Sequence, residues 1–208
     1  MNKFLIRAVS AAVGLSAMGA ATIANAESNV QTGAGALTAT ARLDFRVTVP
    51  KVLFLQVGTG TALATNTTIN LIDFVIPAAN VGDGSVIAAT AASGDLGNGA
   101  VTARVQGNNG NVTLTSTTVG ALGNGAGDTL SFGLISTTPT VLTSATALAA
   151  PALADGATTS TTVPATGKIV NRDARWTFAF LNSAIVPPGT YGGVNANNSR
   201  VTYTASMP

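Results

Sequence analysis

LTATARLDFRVTV, residues 37–49, is the stretch on which the reading of the fold turns. Leu37, Ala39, Ala41, Leu43, Phe45, Val47 and Val49 hold its odd positions, and Thr38, Thr40, Arg42, Asp44, Arg46 and Thr48 its even ones. A strand places successive side chains on opposite faces, so this alternation gives one apolar and one polar face. A helix of about 3.6 residues per turn would carry the arginines round among the leucines. The stretch predicts a half-buried β-strand whose Leu43, Phe45 and Val47 enter a core.

Working outward toward the N-terminus, Lys3 and Arg7 precede an apolar run of small residues from Ala8 to Ile23, and Ala24-Asn25-Ala26 follows as a small-x-small site. This is the pattern of a secretory signal peptide over residues 1–26, cleaved between Ala26 and Glu27. Residues 27–36 then read as a flexible extension. Removing residues 1–26 takes away two cations and leaves eight basic against eight acidic residues (Glu27, Asp44, Asp73, Asp83, Asp95, Asp128, Asp155, Asp173). A formally neutral mature chain lacks the basic footprint of a nucleic-acid binder and has no basic run to hold it on anionic lipid. No membrane span is expected in the mature chain.

The chain has no Cys and no His. Disulfides, thiol nucleophiles and the commonest general base and zinc ligand are therefore missing together, and stability must come from packing. About 180 mature residues suffice for one domain with a real core.

Beyond Pro50, Val52–Val57 (VLFLQV) reads as a buried strand and Ile69–Ile76 (INLIDFVI) as another, stopped by Pro77. Val101, Ala103 and Val105 alternate with polar residues, Gly107-Asn-Asn-Gly110 offers turn residues, and Val112 and Leu114 resume the alternation, which predicts a hairpin. Thr129–Ser136 places Leu130, Phe132 and Leu134 on one face. Thr137–Thr166 is a low-complexity run of Thr, Ala and Ser, expected as an insertion with at most a helical turn at Ser144–Ala150. In Ala174–Asn182, Trp176, Phe178 and Phe180 share a face. They read as core, with a sugar-stacking platform as the alternative. Ser199–Met207 supplies a closing strand. Short strands divided by Gly and Asn predict an all-β fold, a single antiparallel β-sandwich over residues 37–208 with Leu43, Phe45, Val47, Leu53, Phe132, Trp176, Phe178 and Phe180 in its core.

No catalytic, cofactor-binding or metal-ligating constellation emerges. Asp83, Asp95, Asp128 and Asp155 each lie beside a glycine, where Asp ordinarily stabilises turns. No GxxxxGK[ST] or DxDxDG-like loop is present. The expectation is a non-enzyme without cofactors.

LTATARLDFRVTV followed by PKVLFLQVG at the start of the mature chain, with PPGTYGG and a closing VTYTAS at its end, resembles the pilin subunits of the chaperone-usher pathway, particularly the cysteine-free colonisation-factor type. Trp176-Thr-Phe and VTYTASMP resemble, more distantly, the WxL surface β-domains. The resemblance implies an immunoglobulin-like, pilin-like sandwich and an exported structural subunit of a fimbria. It also implies self-association or pairing with other pilin-like subunits, handling by a periplasmic chaperone and usher, and a location at the surface or in the periplasm of a Gram-negative bacterium. It further implies strand donation, with Val30, Leu37, Ala39, Ala41 and Leu43 along the donated strand and Phe45 onward in the chain's own core. Thirteen alternating residues span about 43 Å, longer than one sheet ordinarily uses; the alternative to donation is that the entire stretch is one long strand that bends or crosses between the two sheets of its own domain. The alternative function is an exported binding module for carbohydrate or for an envelope protein.

Overall fold

The structure, a computed structural model, describes residues 27–208; the expected signal peptide and the Ala26 side of its cleavage site lie outside the described residues. The chain divides into two units at Val49/Pro50. Over residues 27–49 the chain forms neither helix nor strand, and its side chains are exposed. Phe45 is 86% and Val47 85% accessible, and Leu43 and Val49 are nearly as open. The expectation that Leu43, Phe45 and Val47 enter the chain's own core is therefore corrected. Alternation identifies side chains that gain by burial, but it does not say in which molecule they are buried. The ordered feature of this arm is local: Arg42 Nε and Nη2 each donate to Glu27 carboxylate oxygens at 2.8 Å, and the guanidinium lowers the Glu27 carboxyl pKa.

Residues 50–208 are all-β and antiparallel. One sheet comprises β1 (Leu53–Val57), β2 (Ile87–Ala88), β3 (Ala100–Gly107), β7 (Ile135–Thr140) and β9 (Val170–Phe180). A second contains β4 (Val112–Thr117), β8 (Thr158–Val163) and β10 (Thr202–Ser206), and β5 (Leu122–Gly123) pairs with β6 (Thr129–Leu130). The spine is β9, whose Val170–Thr177 pair with β3 and whose Arg175–Phe180 pair with β7. The two larger sheets share one core, built from Val101, Ala103 and Val105 of β3, Val112 and Leu114 of β4, Val163 of β8, and Val170, Ala174, Trp176 and Phe178 of β9. Trp176 is fully buried, donates its indole N–H to Leu148 O at 2.7 Å, and packs against the Tyr203 ring at 5.4 Å between centroids. Phe132 and Phe180 are buried in an adjoining cluster with Leu122 and Leu130. The aromatic alternation in β9 is thus core, as read.

Elsewhere local patterning and the tertiary outcome part company. Asn108–Gly110 do form a turn, yet β3 and β4 belong to different sheets, so the expected hairpin is an arch across the core. Turn residues encode a reversal; they do not dictate that the flanking strands pair. Thr129–Ser136 is interrupted by a 3₁₀ turn at Phe132–Leu134, capped by the Ser131 hydroxyl accepting from Gly133 N–H. Ile69–Ile76 alternates in burial, with Ile72, Phe74 and Ile76 half-buried, but forms no ladder. Its Asp73 N–H bonds instead to the Ser93 side chain.

The run Thr137–Thr166, expected as an insertion, contains most of β7 and all of β8, and no helix forms at Ser144–Ala150. Between those strands, Val141–Ala157 forms a strap anchored on both sheets. On β9, Thr143 and Ser144 N–H donate to Asp173 Oδ1 at 2.9 Å and Leu148 N–H donates to Asp173 O. On the second sheet, the Ser116 hydroxyl donates to Ala152 O at 2.8 Å, and Thr118 Oγ1 donates to Ala154 O. Leu148 and Pro151 of the strap are themselves fully buried.

Candidate functional site

The strap seals one side of the core, and the opposite side is where the domain is least complete. There β1, an edge of the first sheet, adjoins β10, an edge of the second. Among the described residues β1 pairs only with β3 and β10 only with β4. Their core-directed side chains, Leu55 and Val57 from β1 and Tyr203, Ala205 and Met207 along β10, are only half-buried. On β4, one strand further in, Val112 and Leu114 are fully buried. Leu53, expected in the core, opens to 37% accessibility at this edge. A groove of about 400 Å³ runs beside β1, lined by Val52–Leu55 and Leu63–Asn66.

Two of the other edges, β7 and β8, are protected differently. β7 carries Pro139, which cannot donate to a further strand. β8 turns Thr159 and Thr161 toward the interior and has its Thr159 hydroxyl bonded to the strap at Ala152 O. By contrast, the sequences of β1 (LFLQV) and β10 (TYTAS) contain neither a charge nor a proline. Natural sheet edges that must stay unpaired usually carry such devices. The pair β1/β10 therefore has the chemistry of an edge that can accept a strand.

The residues expected along a donated strand, Val30, Leu37, Ala39, Ala41 and Leu43, all lie in the exposed arm. The structure adds Phe45, Val47 and Val49 to the exposed apolar row, moving its bulk toward the C-terminal half of the arm. Leu43 through Val49 offer far more apolar area than the alanines at 39 and 41, and each Val, Leu or Phe fully buried contributes about 1.5–3 kcal/mol.

The glycine-flanked acids serve local turns, three of them by accepting from backbone N–H groups. Asp83 Oδ1 accepts from Ser85 N–H, Asp95 Oδ1 from Thr102 N–H, and Asp155 Oδ1 from Phe132 N–H, while Asp128 Oδ2 accepts from the Asn124 amide. Among the described residues no cluster of three or more acidic side chains converges on a point where a metal could bind, and no helix is long and apolar enough to cross a membrane. What sequence reasoning missed is the strap and its anchor Asp173. The available signal was an acid placed inside an apolar-patterned strand, where a carboxylate requires partners. No known protein family, curated protein or solved structure matches the chain.

Proposed function

We propose that this chain is an exported structural subunit of a fimbria-like surface assembly, with an immunoglobulin-like, pilin-like sandwich, which joins to its neighbours by strand donation. The apolar arm of one copy, centred on Leu43–Val49 and extending back through Ala41, Ala39 and Leu37 toward Val30, adds to the β1/β10 edge of another. The observation that carries this reading is the mismatch within one chain: a strictly alternating apolar row, Leu37–Val49, is exposed, while residues 50–208 keep an uncharged double edge unpaired. Adding a strand to an exposed edge satisfies backbone groups along the ladder, and alternate side chains fill the groove.

Magnitudes decide how such an assembly forms. Burying Leu43, Phe45, Val47 and Val49 contributes about 6–12 kcal/mol in gross terms, against roughly 4–15 kcal/mol for association. The two are comparable, so efficient joining calls for high local concentration or a periplasmic chaperone and usher that hold the edge ready. The reading of the chain as a carbohydrate-binding module gains no support, because Trp176, Phe178 and Phe180 are interior. Size measurement of the mature protein tests the proposal: concentration-dependent oligomers that disappear in Phe45→Asp/Val47→Asp support it, and oligomers unaffected by that pair of changes refute it.

A further inference from the structure

Residues 69–76 (INLIDFVI) have the composition of a strand buried on both faces, yet among the described residues they join no ladder. Their side chains alternate all the same: Ile72, Phe74 and Ile76 are half-buried, while Ile69, Leu71, Asp73 and Val75 are exposed. One backbone edge of the segment is taken. Thr90 N–H donates to Asp73 O at 2.8 Å, Gly94 N–H donates to Leu71 O at 3.2 Å, and Asp73 N–H donates to the Ser93 hydroxyl at 2.9 Å. In extended chain the backbone groups of successive residues point to opposite sides, so those of Ile72 and Phe74 line the other edge. Among the described residues no protein group bonds to them.

β1 is built with the same parity. Gly58 N–H donates to Thr102 O at 2.7 Å, one step past the pairing of Val57 with Ala103. Gly58, Gln56 and Phe54 therefore turn their backbone groups toward β3, and Leu53, Leu55 and Val57 turn theirs to the free edge. In both segments the residues that look into the core are the ones whose N–H and C=O are free. Ile72 and Phe74 also pack against the same core cluster as Leu55 and Val57. The second segment starts where the first stops: Asn70 Oδ1 accepts from Thr59 N–H at 2.7 Å and Asn70 Nδ2 donates to Thr59 Oγ1 at 3.0 Å, which ties Asn70 to the chain just beyond Val57.

Length points the same way. β1 has 5 residues and offers about 17 Å of edge, whereas the alternating row of residues 37–49 is about 43 Å long; residues 69–76 supply about 26 Å more. Resting on the strand-donation reading, we infer that residues 69–76 are the second half of the acceptor edge, and that the arm of a second copy pairs with Leu55 and Val57 and onward with Ile72 and Phe74. Residues directly opposite one another in a ladder share a face. Pairing in this parity puts the apolar row of the arm over the core and leaves Arg42, Asp44 and Arg46 on the solvent side, where Asp73 is exposed. A strand-forming sequence that pairs on only one side in the single chain thus becomes a ladder strand in the assembly.

The test is residue-resolved amide hydrogen exchange on the mature protein, as a monomer at high dilution and as an oligomer at high concentration, with Phe45→Asp/Val47→Asp as the arm variant. In the monomer, Asp73, Thr90 and Gly94 should be protected while Ile72 and Phe74 exchange freely. In the wild-type oligomer, exchange at Ile72 and Phe74 should slow about tenfold or more, the scale of one net hydrogen bond, and the arm variant should lose this protection together with the oligomer. Ile72 and Phe74 amides already protected in the monomer overturn the inference. Arm-dependent oligomers in which Ile72 and Phe74 exchange as they do in the monomer also overturn it, and leave strand donation standing. A wild type that never forms an arm-dependent oligomer refutes strand donation, and the inference with it.

Discussion

Replacing Asp173 tests how the strap is held. Its carboxylate is buried in β9 and accepts from Thr143 N–H and Ser144 N–H at 2.9 Å and from the Thr143 hydroxyl, with Arg104 Nη2 at 3.6 Å. Burial pushes the carboxyl pKa up, but the Thr143 hydroxyl, the two strap N–H groups and the Ser144 hydroxyl together outweigh it and hold the group well below the usual carboxylate range. The folded-state pKa is therefore lower than that of the unfolded chain, near about 3.9. The stability this group contributes is complete above about pH 5 and drains away as the pH falls below about 4 toward the folded value. Asp173→Ala leaves two backbone donors without their acceptor, each costing about 1–3 kcal/mol. Because Thr143 is exposed, water recovers part of that, so the expected loss is about 2–3 kcal/mol. Asp173→Asn keeps one oxygen for the two N–H groups and should lose about 1 kcal/mol. Urea unfolding at pH 7 and pH 3 measures both: the wild type should lose more stability between these pH values than Asp173→Asn. Equal pH dependence in the two proteins, or an Asp173→Ala within 0.5 kcal/mol of wild type, an effect of roughly ordinary surface size, refutes the reasoning.

Trp176→Ala should cost about 3–5 kcal/mol by urea unfolding, since it empties the centre of the core and frees Leu148 O from its indole donor. N-terminal sequencing of the exported protein should begin at Glu27, and an intact Met1 terminus on the exported form would contradict the reading of residues 1–26.

Much of the domain was legible because its strands separate apolar from polar residues cleanly. β3 and the aromatic half of β9 lie where alternation puts them, and Trp176, Phe178 and Phe180 are interior. β8 was hidden for the opposite reason: its Thr and Ser residues give no contrast between faces, and its place is set by pairing with β4 from Val112–Val163 to Thr117–Thr158. The arch at Gly107–Gly110 shows a second limit, since a reversal is local whereas sheet membership depends on distant partners. At the candidate site, alternation marked the apolar row of residues 37–49 in the sequence. The open edges of β1 and β10 were not legible, because what distinguishes these strands is the neighbour each lacks among the described residues, and that emerges only when the sheets are assembled.

The most direct test of strand donation is the size of the mature protein, measured by light scattering across a concentration series, for wild type and for Phe45→Asp/Val47→Asp. Strand donation predicts a ladder of oligomers for the wild type and a monomer for the variant, with unchanged urea midpoints because the Phe45 and Val47 side chains are exposed. A wild type that stays monomeric throughout, or a variant whose monomer loses its fold, would contradict it.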